Sequence, residues 1–255
     1  MNKFLKKIKI PLIRVKYNFL YLKRNFLFKP KSFIIINKFK KKRKIVICGN
    51  GPSYNDFESE YLQEKYEDYD ILMLNSGAIH TNLSINFHIF ELFNSDEENA
   101  DYLKKISQLD TKTCRIFRPR NVYNLRLVED FNVKNIFIIK EKRIRQNNIS
   151  IFYKDLDQFY SDNILFCRSS IVYATLFALR LEYEEILYVG VNPDTISSFY
   201  SNPDIIHNEV HPTFNKVGEF NSYDIIRMIA NFKLFQNTIF KVHQKSYNFL
   251  NKKYS

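Results

Sequence analysis

The chain is 255 residues long, with 45% hydrophobic and 26% charged residues. That is ordinary globular composition, long enough for one or two domains, and it excludes a disordered or collagen-like polypeptide. Its net charge of +12 is unevenly spread: residues 1–44 hold 16 Lys and Arg and no acid, leaving 45–255 with 23 basic against 27 acidic residues. The basic character belongs to an N-terminal arm, so the body lacks the electrostatic footprint of a nucleic-acid binder. Cys48, Cys114 and Cys167 stand far apart with no C-x-x-C pair, so neither a disulfide framework nor a thiolate zinc site is expected, and a reducing cytosol is the simplest compartment.

In the arm, Phe4, Ile8, Leu12, Val15, Phe19, Leu22 and Phe26 recur at steps of three or four, one face of a helix, with Lys and Arg at most other angles. No apolar core of a signal peptide and no run of about 18–20 apolar residues interrupts it. A basic amphipathic helix on an anionic bilayer is the functional reading, and a solvated basic leader is the bland one. The first reading makes 1–44 a peripheral membrane arm on the inner face of the cytoplasmic membrane and 45–255 a cytoplasmic body.

The body alternates strand and helix patterns. Apolar runs predict strands at 44–49, 71–75, 85–90, 114–117, 135–139, 185–189 and 238–242. Amphipathic patterns predict helices at 58–65, 96–107, 170–181 and 223–235. This order implies a Rossmann-like α/β fold, a mostly parallel sheet with helices on both faces. Gly49, Gly51, Gly77 and Gly190 each follow a predicted strand, at the sheet edge where such folds bind ligands.

The sharpest motif is Cys48-Gly-Asn-Gly-Pro-Ser53, directly after the first strand. Two glycines allow a tight turn and close backbone approach, N–H groups there suit a phosphate, Asn50 adds an amide, and Ser53 suits the cap of the next helix. A plain tight turn is the alternative. A third Gly and a ribose-gripping acid are missing, since Asn75 ends the second strand, and no Lys makes a P-loop, so a dinucleotide site is disfavoured. Cys167-Arg-Ser-Ser170 opens a helix, where Ser169 and Ser170 serve either as simple caps or as an anion site beside Arg168. A long polar segment, 192–216, follows the strand at 185–189 and reads as a lid. It holds Asn192, Tyr200, His207 and His211; the histidines are read as surface residues, as general acid/base groups, or least as a metal pair. Two D-x-D triplets, at 68–70 and 155–157, read as solvated surface charges.

These segments together resemble the bacterial sialyltransferases of the Campylobacter lipooligosaccharide type, glycosyltransferase family 42. The shared features are Gly49–Ser53 after the first strand, Asn75 at the end of the second, Ser169-Ser170 opening a helix that leads to a strand and Gly190, Tyr200 ten residues after that Gly, and the H-x-x-x-H of His207 and His211. The sequence departs from the family pattern at Asp194, in the place of a second lid Tyr, at Arg168, shifted by one position, at Pro212, and after the third strand, where Asn94 or Glu91 stands for an Asn. The resemblance implies a GT-A-like variant of the fold and an inverting, metal-independent transfer, without cofactor, of sialic acid or a related nonulosonic acid. The donor would be a CMP-sugar and the acceptor a lipid-linked surface glycan such as lipooligosaccharide or capsule. It gives His211 the role of base and Tyr200 that of leaving-group donor. Donor contacts fall to Asn50, Gly51, Ser53, Asn75, Arg168, Ser169, Ser170 and Asn192. A homo-oligomer fits the resemblance too. The alternatives are another nucleotide-using enzyme on this fold, such as a Kdo transferase or pyrophosphokinase-like relative, and a non-catalytic membrane-bound scaffold.

Overall fold

The structure, a computed structural model, describes residues 31–93, 96–119, 122–139, 141–143, 156, 164–166, 169–191, 221–246 and 248–250. The first strand, β1 (Lys44–Cys48), shows why the sheet is closed on both faces. Ile45 and Ile47 point to one side, Val46 and Cys48 to the other, and all four are fully buried. A strand apolar on both faces belongs at the centre of a parallel sheet.

That is where β1 lies. The main sheet has the order β5-β4-β3-β2-β1-β8-β9, formed by β2 (Tyr69–Leu74), β3 (Phe87–Phe90), β4 (Cys114–Phe117), β5 (Ile136–Phe137), β8 (Glu185–Val189) and β9 (Ile239–Val242) around it. Every pairing is parallel. The expected α/β class holds, and the sheet is fully and not mostly parallel. A separate parallel pair, β6 (Glu141–Arg143) with β7 (Ile164–Phe166), was not expected; three-residue strands give too little alternation to read.

Helix α1 (Lys31–Ile36) precedes β1, and α2 (Tyr54–Leu62), α3 (Asp96–Gln108) and α4 (Val122–Asp130) follow β1, β3 and β4. Helices α5 (Ser170–Arg180) and α6 (Ser222–Ala230) flank β8 in sequence. Tyr54 and Phe57 of α2 pack with Val46, Cys48, Ile71 and Met73. Tyr102, Leu103 and Ile106 of α3 pack with Phe90 and Phe117 on the same face. Val172, Leu176 and Phe177 of α5 and Ile226 and Ile229 of α6 cover Ile45, Ile47, Leu72, Phe87 and Ile89 on the other. The helix expected at 58–65 starts earlier, because Tyr54 and Phe57 supply the buried contacts.

Chain order reverses between β1 and β8, and this switch point is where open α/β sheets leave a crevice at their carboxyl edge. Two glycines close it. Gly49 N–H donates to Val189 O and Gly51 N–H to Gly190 O, both at 2.8 Å. A Cβ on Gly49 would stand 2.5 Å from Gly190 O, and one on Gly190, whose φ is +65°, would stand 2.4 Å from Gly49 O.

The amino edge is knitted by buried polar groups. Asp70 accepts from Lys41 N, Lys42 N and the Tyr183 hydroxyl, at 2.8, 3.1 and 2.6 Å. It is buried, which corrects its reading as a solvated charge, while Asp68 does pair at the surface with Lys44. The triplet at 155–157 lies outside the described residues apart from Leu156. Arg115 donates to four carbonyls, those of Thr113, Lys134, Leu109 and Asp110, at 2.9–3.1 Å. Residues 31–44, grouped with the arm on charge, also pack onto the body: Ile36 is fully buried in the main core, and Lys40 Nζ reaches Leu181 O. Residues 1–30 lie outside the described residues.

Burial raises the thiols of Cys48 and Cys114 and leaves them inert. His88 on β3 is fully buried, with Nε2–H donating to Asn75 O at 2.8 Å. Burial pushes His88 down to about 3, despite that hydrogen bond and aided by nearby Arg115. The unfolded chain protonates this group near pH 6.5 and the folded one does not. Stability should therefore be full above about pH 6.5 and fall towards pH 3, by up to about 1.4 kcal/mol per pH unit from this residue. Urea midpoints measured across that range should show a shallower pH dependence in His88→Gln than in wild type.

Candidate functional site

The carboxyl ends of β1 to β4 form a row, with strands about 4.8 Å apart. Asn50 follows β1, Asn75 and Gly77 follow β2, Glu91 follows β3 and Arg118 follows β4. The N-terminus of α5 meets the far end of this row. Its direction is fixed at the other end, where Leu181 O and Glu182 O accept from Lys40 Nζ beside the amino edge.

Asn50 leans on Gly77. A Cβ at Gly77 would stand 2.5 Å from Asn50 Oδ1 and 2.7 Å from Met73 Sδ, so only glycine leaves room for the amide. Asn50 Oδ1 is buried and without a hydrogen-bond partner among the described residues. Such an atom costs about 1–3 kcal/mol unless something fills it.

Asn75 has φ +49°, a left-handed conformation that Asn tolerates better than most residues. Its carbonyl is tied to His88, so the chain turns into the 3-10 segment Asn75–Ile79 at a fixed angle.

Ser169 is the N-cap residue of α5, extended at φ −135° and ψ 155°, yet its side chain makes no capping bond. It is buried, and its Oγ has no partner among the described residues. The first N–H groups of an eleven-residue helix thus lack a side-chain cap here, where partial positive charge favours an anion. Ser170 Oγ lies 3.2 Å from Arg118 Nη1 and 3.4 Å from Glu91 Oε1. Arg118 also pairs with Glu91 at 2.5 Å and stacks on Tyr173, 4.5 Å from its ring centre.

Two expected contacts are corrected. Gly51 spends its N–H on Gly190, so its part is to lock two loops and not to hold a phosphate. Ser53 is helical, makes no capping bond and turns its buried Oγ to Ser246 Oγ at 2.9 Å. Asn50, Asn75, Ser169 and Ser170 do come to one edge. Arg168, Asn192, Tyr200, His207 and His211 lie outside the described residues, as do Asn94, Asp194 and Pro212.

Among solved structures, the chain is similar to sialyltransferases of Campylobacter jejuni. CstII in complex with a trisaccharide acceptor and CMP is 14% identical, with a TM-score of 0.41 over 83% of this chain and 89% of that one. The monofunctional alpha-2,3-sialyltransferase Cst-I is 15% identical, with a TM-score of 0.44 over 85% and 84%. A CstII variant in complex with CMP is 17% identical, with a TM-score of 0.46 over 83% and 89%. No family model and no curated protein matches the chain. At these identities and scores, function rests on the chain's own residues.

Sequence reading missed Arg118. Nothing in Phe117-Arg-Pro119 marks it; only the β3–β4 pairing sets it beside Glu91. The Asn50–Gly77 contact yields a direct test. The nearest atoms to the Cβ of Gly77→Ala belong to two side chains and not to backbone, so the fold should survive at a cost of about 1–3 kcal/mol. Asn50 must shift, so affinity for CMP, the nucleotide the resemblance implies, should fall at least tenfold in a titration carried out where both proteins are fully folded.

Proposed function

We propose that the chain is an inverting, metal-independent glycosyltransferase that moves sialic acid or a related nonulosonic acid from a CMP-sugar to a surface glycan such as lipooligosaccharide or capsule. One observation carries the reading. Asn50, Asn75 and Ser169-Ser170, up to 120 positions apart, lie along one carboxyl edge of the sheet, and two of them present buried oxygens without partners among the described residues.

The chemistry is coherent with that edge. CMP is a good leaving group, so no general acid is obligatory. Negative charge developing on its phosphate needs donors, and Asn50 and Tyr200 have the right groups. The sugar's own carboxylate suits the N-terminus of α5, with the Ser169 hydroxyl and the helix N–H groups. His211 takes the proton from the attacking acceptor hydroxyl. Asp70, one of the acids a diphosphate-bound cation would want, is spent on the amino edge.

In the test, purified protein should bind CMP and transfer sialic acid from CMP-sialic acid with full activity in excess EDTA. His211→Ala should lose about 10²–10⁴-fold in transfer rate and keep its CMP affinity. Near-wild-type transfer by His211→Ala would place the base elsewhere.

The membrane reading of the arm gains support from its junction with the body. Ile34 and Ile35 are 69% and 43% exposed, close in sequence to the exposed Lys41, Lys42 and Arg43. An anionic bilayer on the cytoplasmic side suits both the apolar and the basic groups. Deleting residues 1–30, which spares the buried Ile36, should leave a folded body and weaken binding to vesicles containing phosphatidylglycerol. The loss should shrink at high salt. Equal vesicle binding by both proteins would end this reading.

A further inference from the structure

The groove between the end of α2 and β9 has no part in the transfer chemistry set out above, and none of its lining residues belongs to the row of Asn50, Asn75 and Ser169. We propose that it is a second, non-catalytic binding site for a neutral sugar unit of a glycan. The proposal does not rest on the nucleotide reading of the carboxyl edge.

The groove follows from a gap in the helical cover. Tyr54 and Phe57 of α2 pack over Val46 of β1 and Ile71 of β2, and Leu187 of β8 continues that apolar face. The register partner of Leu187 on β9 is Lys241, and Ile239, two residues earlier on the same side, is 54% exposed. The sheet therefore reaches beyond its helix. Lys65, Tyr66 and Tyr69 from the α2 side and Gln244 and Asn248 from the segment after β9 close around a cavity of about 460 Å³. That is the size of a small-ligand pocket.

Two carboxylates fix the lining in place. Glu60 accepts from Lys65 Nζ, from the Tyr66 hydroxyl at 3.2 Å and from Gln244 Nε2 at 3.2 Å, which ties the end of α2 to the segment after β9. The hydrogen bond from Lys65 holds the Glu60 carboxyl down to about 2, so it stays an acceptor. Glu185 accepts from the Tyr69 hydroxyl and from Lys241 Nζ, the second at 2.8 Å. His243, 3% exposed, adds a buried donor to the lining. Its Nδ1 accepts from Lys245 N–H at 3.4 Å, so Nε2 carries the proton. Nε2 lies 3.4 Å from Glu60 Oε2 and makes no hydrogen bond among the described residues.

Charge and polarity select the ligand class. The two ammonium groups are matched by the two carboxylates, so neither a phosphate nor a cation gains much net attraction. A wholly apolar ligand would strand the ammonium, amide and imidazole groups without partners. A sugar ring meets both demands. Its C–H face suits the tyrosine rings and Leu187, and its hydroxyls accept from ammonium and imidazole N–H groups and donate to the carbonyl oxygens of Gln244 and Asn248.

The experiment records ¹H–¹⁵N spectra of the full chain during titration with lactose, a neutral disaccharide, and in parallel with inorganic phosphate and with CMP. Lactose should shift the amides of residues 65–69 and 241–244 to saturation, and phosphate at the same concentration should not. Gln244→Ala/Asn248→Ala, which alters two exposed side chains, should weaken that lactose response at least about fivefold and bind CMP within about twofold of wild type. If the double variant fails to fold, Asn248→Ala alone should weaken the response at least about twofold. Lactose shifts confined to other residues, phosphate shifts that match those of lactose, an unweakened response in the variants, or equal weakening of lactose and CMP would each overturn the assignment. Failure of wild type to bind CMP would end the transfer reading, and the lactose shifts would still decide this one.

Discussion

The contact between Gly49 and Gly190 is the constraint on which the rest of the molecule turns. Two strands that belong to different halves of the chain lie side by side at the centre of the sheet, and their exits cross within hydrogen-bonding distance. Side chains at either position would collide with backbone, which cannot step aside. The reward is a rigid corner. It fixes where Asn50 stands, and with it one end of the edge on which four strands and a helix converge.

The two edges of the sheet gather different polar groups. At the amino edge Asp70 and Glu185 are held by backbone N–H groups, tyrosines and a lysine, and Arg115 donates to four carbonyls, although its buried Nε has no partner among the described residues. At the carboxyl edge a buried amide oxygen and a buried hydroxyl have no partner among the described residues, and a helix begins without its side-chain cap. Interiors seldom leave such groups unpaired, since each costs what a lost hydrogen bond costs.

Much of the architecture was legible because its signals are local. The apolar runs of β1, β4 and β8 and the periodicity of α3 and α5 fall close to where they were expected. What failed had distant causes. Gly51 and Ser53 looked like phosphate and cap residues, but their partners, Gly190 and Ser246, are 139 and 193 positions away. Asp70 sits in an acidic stretch that reads as surface, and only the packing of Tyr183 and the 41–42 backbone buries it. Arg118 and Glu91 are 27 positions apart and become neighbours through strand pairing alone.

The place of β1 has a consequence for synthesis on the ribosome. Lys44 pairs with Glu185, 141 positions later, so one flank of the central strand has no native partner until the second half of the chain emerges. At about 5–20 residues per second that interval is roughly 7–30 s. Throughout it Lys-Ile-Val-Ile-Cys, apolar on both faces, presents an open hydrogen-bonding edge of the kind that recruits other strands. The nascent protein is thus most exposed to aggregation, and most dependent on chaperones, in the window before β8 arrives.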